Sequence, residues 1–142
     1  MPAVIKISKL TDYAVVVLTQ LGRNNTVHTV AALAEATGIP APTVAKLLKP
    51  LVIAGLVASH RGANGGYILN MEPEHITVAA IITALEGPIA VTECVGDVDS
   101  TCGVERLCPM RGNWEKINRA VQRALEDVSL ADMATPSWPL AI

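Results

Sequence analysis

Phenylalanine is absent from this chain, and two Trp and two Tyr are its whole stock of aromatic side chains. A core built on large rings is therefore excluded. Apolar residues still make up 51% of the 142 positions, so a core of Ala, Val, Leu and Ile is what the composition permits. Long apolar runs are also missing. None approaches the roughly 18–20 residues that a membrane-spanning helix needs. The opening stretch, MPAVIKISKLTDYAVVVL, has its apolar residues interrupted by Lys9, Thr11 and Asp12, and no small-residue cleavage site follows, which argues against a signal peptide. The expectation is a cytoplasmic protein with reduced thiols and no membrane partner. There are only three cysteines, an odd number that argues against a closed disulfide framework. Enzyme signatures are wanting too. No Walker lysine follows the glycine-rich stretch at 61–66, and neither a nucleotide-binding fingerprint nor a nucleophile–base set is present. No catalytic residue and no small-molecule substrate are expected.

Cations are few and unevenly placed. Residues 1–70 carry Lys6, Lys9, Arg23, Lys46, Lys49 and Arg61 against Asp12 and Glu35 alone, whereas the remainder is dominated by acids. A basic half beside an acidic half suits a protein that meets phosphate with one end only. The same split also arises as ordinary surface variation.

Along the chain, the patterning predicts a mainly α protein. Ser8 is an N-cap for a first helix to about Arg23, with Tyr13, Val16, Val17 and Leu21 at helical spacing. Asn24-Asn25 makes a turn. Thr29 opens a short helix that Gly38 stops, and a third helix starts near Pro42 or Thr43 and ends at Gly55. Two short helices around a tight glycine-containing turn form a helix-turn-helix, whose second helix reads DNA. Thr43, Ala45, Lys46 and Lys49 are its outward residues. Pro50 removes an amide donor inside that helix, so the helix either kinks there or changes direction after Lys49. Residues 56–60 and 67–70 read as strands joined by Arg61-Gly62-Ala63-Asn64-Gly65-Gly66, a wing. Thr77 caps a helix over 78–86 that Gly87-Pro88 ends. From about Asn113 a last helix carries Trp114, Ile117, Val121, Leu125 and Val128 as one apolar stripe. That stripe must be buried, either on its own domain or against the same helix of a second subunit. The second is favoured, because DNA readers of this architecture are commonly two-fold dimers. Ser129 caps a final turn. The predicted organisation is a winged helix-turn-helix DNA-binding domain over 1–88, a cysteine loop over 89–112, and a long dimerisation helix with its tail over 113–142.

The loop CVGDVDSTCGVERLC holds Cys94, Cys102 and Cys108 in the pattern C-x7-C-x5-C, among Gly96, Asp97, Asp99, Ser100 and Gly103. Thiols on a polar, glycine-containing loop are poorly placed to fill a core and well placed to reach one metal centre. Soft thiolates on a loop suit an iron–sulfur cluster. Structural zinc favours four ligands in close C-x2–4-C pairs, and neither spacing here fits. A free-thiol redox switch is the third option.

LTDYAVVVL at 10–18, the helix-turn-helix, the wing HRGANGGYIL at 60–69, ALEGPI at 84–89 and the three cysteines together resemble the winged-helix regulators of the IscR and NsrR type. TECV and C-x5-CPMRGNW at 102–114 resemble the branch that regulates the SUF iron–sulfur assembly system. The resemblance covers almost the whole chain. It implies a homodimer that binds a double-stranded DNA operator and carries an iron–sulfur cluster, with 2Fe-2S favoured and 4Fe-4S the alternative. It implies a repressor of iron–sulfur assembly genes that senses iron–sulfur status, oxidative stress or nitric oxide. The rival from another class is a small iron–sulfur redox protein or electron carrier.

The resemblance also assigns residues. Cys94, Cys102 and Cys108 match the cluster cysteines, and Arg61 matches the wing arginine. Asp12 matches an aspartate that some members supply from the other subunit as a fourth ligand; alone, it reads equally as an acid favoured by the helix dipole. The first cysteine spacing is longer than the family's common one, and Arg111 stands where some members have a histidine. Glu93, Glu105, His28, His60 and His75 are weaker ligand candidates, and Glu115 reads as a favourable helix charge. On the DNA side, Arg61 suits a narrow minor groove, Lys46 and Lys49 suit phosphates, and Thr43, His60 and Asn64 complete the candidate set.

Overall fold

The structure is a computed structural model that describes residues 6–90 and 111–135. Its elements, in order, are α1 (Lys9–Gly22), α2 (Val30–Thr37), α3 (Ala41–Ile53), β1 (Val57–His60), β2 (Gly66–Leu69), a 3-10 turn (Pro73–His75), α4 (Val78–Glu86), α5 (Arg111–Glu126) and α6 (Leu130–Ala134). The chain is thus mainly α with a two-stranded antiparallel wing, as its patterning predicts.

Hydroxyl caps set where the helices begin. Ser8 Oγ accepts from the Thr11 amide at 3.2 Å, Thr29 Oγ1 from Ala32 at 3.0 Å, and Thr77 Oγ1 from Ala80 at 3.0 Å. Each satisfies an amide with no partner inside its helix. Ser129 and Asp132 form a reciprocal capping box that starts α6. Gly38 ends α2 in the left-handed region, with its amide on the Ala34 carbonyl.

Pro50 does not end α3. The helix runs through it to Ile53, with Pro50 in the last turns and its carbonyl accepting from Ala54 at 2.9 Å. Pro50 lacks the amide that would bond the Lys46 carbonyl, and the helix continues without that one donor. Pro42 lies in the first turn, where its missing amide costs nothing.

The core is aliphatic. Val17, Leu18 and Leu21 of α1 meet Leu33 of α2, Val44, Leu47, Leu48 and Leu51 of α3, and Ile81 of α4. Leu130 of α6 joins this same cluster at 1% exposure, and α6 packs on α1 and on the 3-10 turn. The chain around it is stitched by Leu130 N–H donating to the Ile76 carbonyl (2.7 Å) and Val78 N–H to the Val128 carbonyl (2.9 Å). Val128 therefore lies in a paired connection, beyond the end of α5 rather than on its stripe. α5 itself begins two residues before the expected Asn113.

Candidate nucleic-acid interface

Helix α3 presents two chemically distinct faces. Val44, Leu47, Leu48 and Leu51 are fully buried, which turns Ala45, Lys46 and Lys49 into solvent, with Thr43 half-buried in the first turn. The Thr43 and Val44 amides donate to the Pro40 carbonyl at 2.9 and 3.0 Å, fixing the start of the helix. Small and cationic outward residues leave room for close approach to a duplex.

The wing is paired in the register Val57↔Leu69, Ala58↔Ile68, Ser59↔Tyr67 and His60↔Gly66. His60 at the end of β1 and Arg61 and Asn64 in the turn are all exposed. Two glycines are required by space. A Cβ on Gly65 would meet the His60 carbonyl oxygen at 2.5 Å, and one on Gly66 would collide with the carbonyl oxygen of His28. That second collision marks a contact the sequence conceals. His28 exchanges both backbone hydrogen bonds with Tyr67, at 2.8 and 2.7 Å, adding a one-residue third strand to the wing. The wing root is thereby tied to the connection between α1 and α2, and α3 packs on β1. Among the described residues, His28 Nδ1 is buried without a hydrogen-bond partner.

Of the ligand candidates, Asp12 is exposed in the first turn of α1, His75 is exposed in the 3-10 turn, and Glu115 is half-buried on α5. Cys94, Cys102, Cys108, Glu93 and Glu105 lie outside the described residues. Among the described residues, no three His, Cys, Asp or Glu side chains are grouped to hold a metal ion. Thr11, next to Asp12, is buried, and its hydroxyl donates to the Glu86 carboxylate.

The apolar stripe of α5 divides. Val121 and Leu125 are half-buried and α5 packs on α4, whereas Trp114 and Ile117 stay 40% and 46% exposed. Asn118 is buried, a polar residue that helical spacing did not single out. Among the described residues no helix is long and apolar enough to cross a membrane.

A family model described as "Iron-dependent Transcriptional regulator", Rrf2, matches residues 7–136. The transcriptional regulator CymR of Bacillus subtilis is 33% identical over 132 residues, covering 92% of this chain and 90% of its own. The solved structure of CymR, titled as the global cysteine regulator of B. subtilis, superposes with a TM-score of 0.69 at 32% identity, covering 92% of this chain and 96% of that one. IscR of T. potens superposes with a TM-score of 0.66 at 32% identity, covering 91% and 85%. These relatives are transcription regulators, not enzymes, and their structures share the winged-helix arrangement described above. The chain belongs to the Rrf2 family and is a DNA-binding transcription regulator.

Proposed function

We propose that this regulator is a homodimeric repressor of iron–sulfur assembly genes that holds an iron–sulfur cluster through Cys94, Cys102 and Cys108. One observation carries the reading. All three thiols of the chain fall in the single stretch between α4 and α5, the two helices that link the DNA-reading domain to the exposed apolar stripe. The donor set fits the group, since soft thiolates are the ligands iron–sulfur clusters take. When bound, such a cluster supplies a centre whose stability depends on iron supply, oxidants and nitric oxide. The similarity to IscR supports this assignment.

The protein's own residues have separate tasks. Thr43, Lys46 and Lys49 of α3 and His60, Arg61 and Asn64 of the wing meet the operator, with Arg61 in the minor groove and the lysines on phosphates. Asp12 of the other subunit is the fourth ligand. Ligation there ties α1, and through it the DNA-reading domain, to the cysteine stretch. DNA-competent and DNA-incompetent arrangements then differ in population rather than in fold.

A second reading is favoured by the similarity to the B. subtilis cysteine regulator, namely a regulator whose thiols respond without a cluster. Purification without oxygen separates the two. The cluster reading expects a coloured protein with visible absorbance and about one cluster per chain, whereas the thiol reading expects a colourless one.

A further inference from the structure

Helix α3, the second of the helix-turn-helix, has the sequence APTVAKLLKPLVI, which contains no Arg, Asn, Gln, Asp or Glu. Those side chains, with lysine, are the ones that tell base pairs apart by hydrogen bonding in the major groove. What α3 turns outward is Pro42, Ala45, Lys46 and Lys49. Their i, i+3, i+4, i+7 spacing sets them opposite the buried Val44, Leu47, Leu48 and Leu51. The leading end of the helix is poor in donors as well. Pro40, Ala41 and Pro42 are exposed, Pro42 has no amide hydrogen, and the Thr43 and Val44 amides both donate to the Pro40 carbonyl. Thr43, half-buried at the edge of this face, offers one hydroxyl, which suits any base and selects none.

We infer that α3 reads its operator through the 5-methyl groups of thymine, with Pro42 and Ala45 as the side chains that pack on them, on the reading that α3 meets the operator. The methyl is the apolar group that unmodified DNA displays on its major-groove floor. Ala45 is small enough for the helix backbone to come close. Pro42 adds rigid apolar surface at the end of the helix that contacts base edges. Lys49 lies about 10 Å further along the axis, where phosphates flank the groove.

This readout complements the wing. An arginine in the minor groove separates A·T from G·C but not A·T from T·A. The methyl lies on one base of the pair only, so α3 supplies the strand assignment that the wing lacks. The preferred operator is then rich in A·T pairs, with thymines on a fixed strand beneath α3.

Fluorescence anisotropy of the full chain on a duplex obtained by binding-site selection tests this. Each thymine is replaced in turn by uracil, which keeps the base pairing and loses the methyl. Affinity should fall about fourfold for each methyl that α3 covers, the effect of burying one such group. In Ala45→Ser or Pro42→Ser that loss should shrink below about twofold at a matching thymine, because a hydroxyl then faces the methyl. Arg61→Ala should keep it. Unchanged affinity for a duplex with every thymine replaced would overturn the inference. So would a loss that persists in both serine variants or disappears in Arg61→Ala, since its source is then groove shape. Preferred guanines beneath α3 whose effect vanishes in Lys46→Ala would replace methyl reading with lysine reading. Lys49→Ala separates these failures from a failure of the placement. If it weakens binding to every duplex while uracil costs nothing, α3 lies on DNA and the inference alone fails. If it changes nothing, the placement of α3 on the operator fails with it.

Discussion

The Thr11 hydroxyl donates to the Glu86 carboxylate at 2.7 Å, tying the first turn of α1 to the last turn of α4. Thr11 is 1% exposed and also accepts from the Ser8 hydroxyl at 3.1 Å. Asp12 is the next residue on one side of this bond. On the other side Gly87 leads out of α4 toward Cys94. The root of the cysteine stretch is thus held against the helix that carries Asp12.

Thr11→Val keeps the volume and removes the bond. A hydrogen bond to a charged group contributes about 1.5–3 kcal/mol, and Glu86 regains some of this from water, so a loss of about 1–2 kcal/mol is expected. Thermal unfolding should then fall by roughly 3–6 °C for a domain of this size. An unchanged melting temperature would show that the tie carries no stability.

Gly66→Ala tests the third strand of the wing. Gly66 has φ 153°, and an added Cβ would strike the His28 carbonyl oxygen. The wing must then part from His28 or strain its backbone, at a cost of about 1–3 kcal/mol. DNA affinity should fall while the helical circular dichroism stays near that of the original chain. Full affinity would mean that the wing reads DNA without its root.

Much of this fold is legible in the residues, because the start and stop signals are local. Ser8, Thr29 and Thr77 are caps, and Gly38 is a helix stop, at the positions their sequence neighbours imply. The misses are non-local. His28 pairs with Tyr67 across 39 positions through a strand one residue long, too short to show alternation. Leu130 belongs to the core, but a five-residue helix has no period to reveal it. Pro50 leaves a kink and a change of direction equally open in the sequence, and the helix runs on through it to Ile53. For the candidate site, Ala45, Lys46 and Lys49 of α3 and His60, Arg61 and Asn64 of the wing are exposed, whereas Thr43, also expected to face outward, is half-buried. The apolar stripe of α5 did not disclose how its two halves would divide.

Arg61 and the lysines should separate by substitution. Arg61→Ala should weaken binding to the selected operator by about 1–3 kcal/mol and relax its sequence preference. Lys49→Ala should weaken all sequences alike and reduce the salt slope by about one unit. Fluorescence anisotropy across a salt series reads both. Unchanged affinity in Arg61→Ala would remove the wing from the reading surface.

Asp12→Ala should leave a dimer that still takes up a cluster, with altered visible absorbance and faster loss in air. A carboxylate is a harder ligand than a thiolate and exchanges first. A wild-type spectrum and cluster lifetime would reduce Asp12 to a helix acid and make Glu93 or Glu105 the next residue to replace.

In the proposed regulator the state of the cysteine stretch controls DNA binding. The direct measurement is the affinity of the anaerobically purified chain for DNA obtained by binding-site selection, taken with the cluster present and again after its removal. A cluster-dependent regulator should be a coloured protein whose two forms differ at least tenfold in affinity, and should lose both colour and difference on replacing Cys94, Cys102 or Cys108. A colourless protein holding stoichiometric zinc, or two forms with the same affinity, would contradict it.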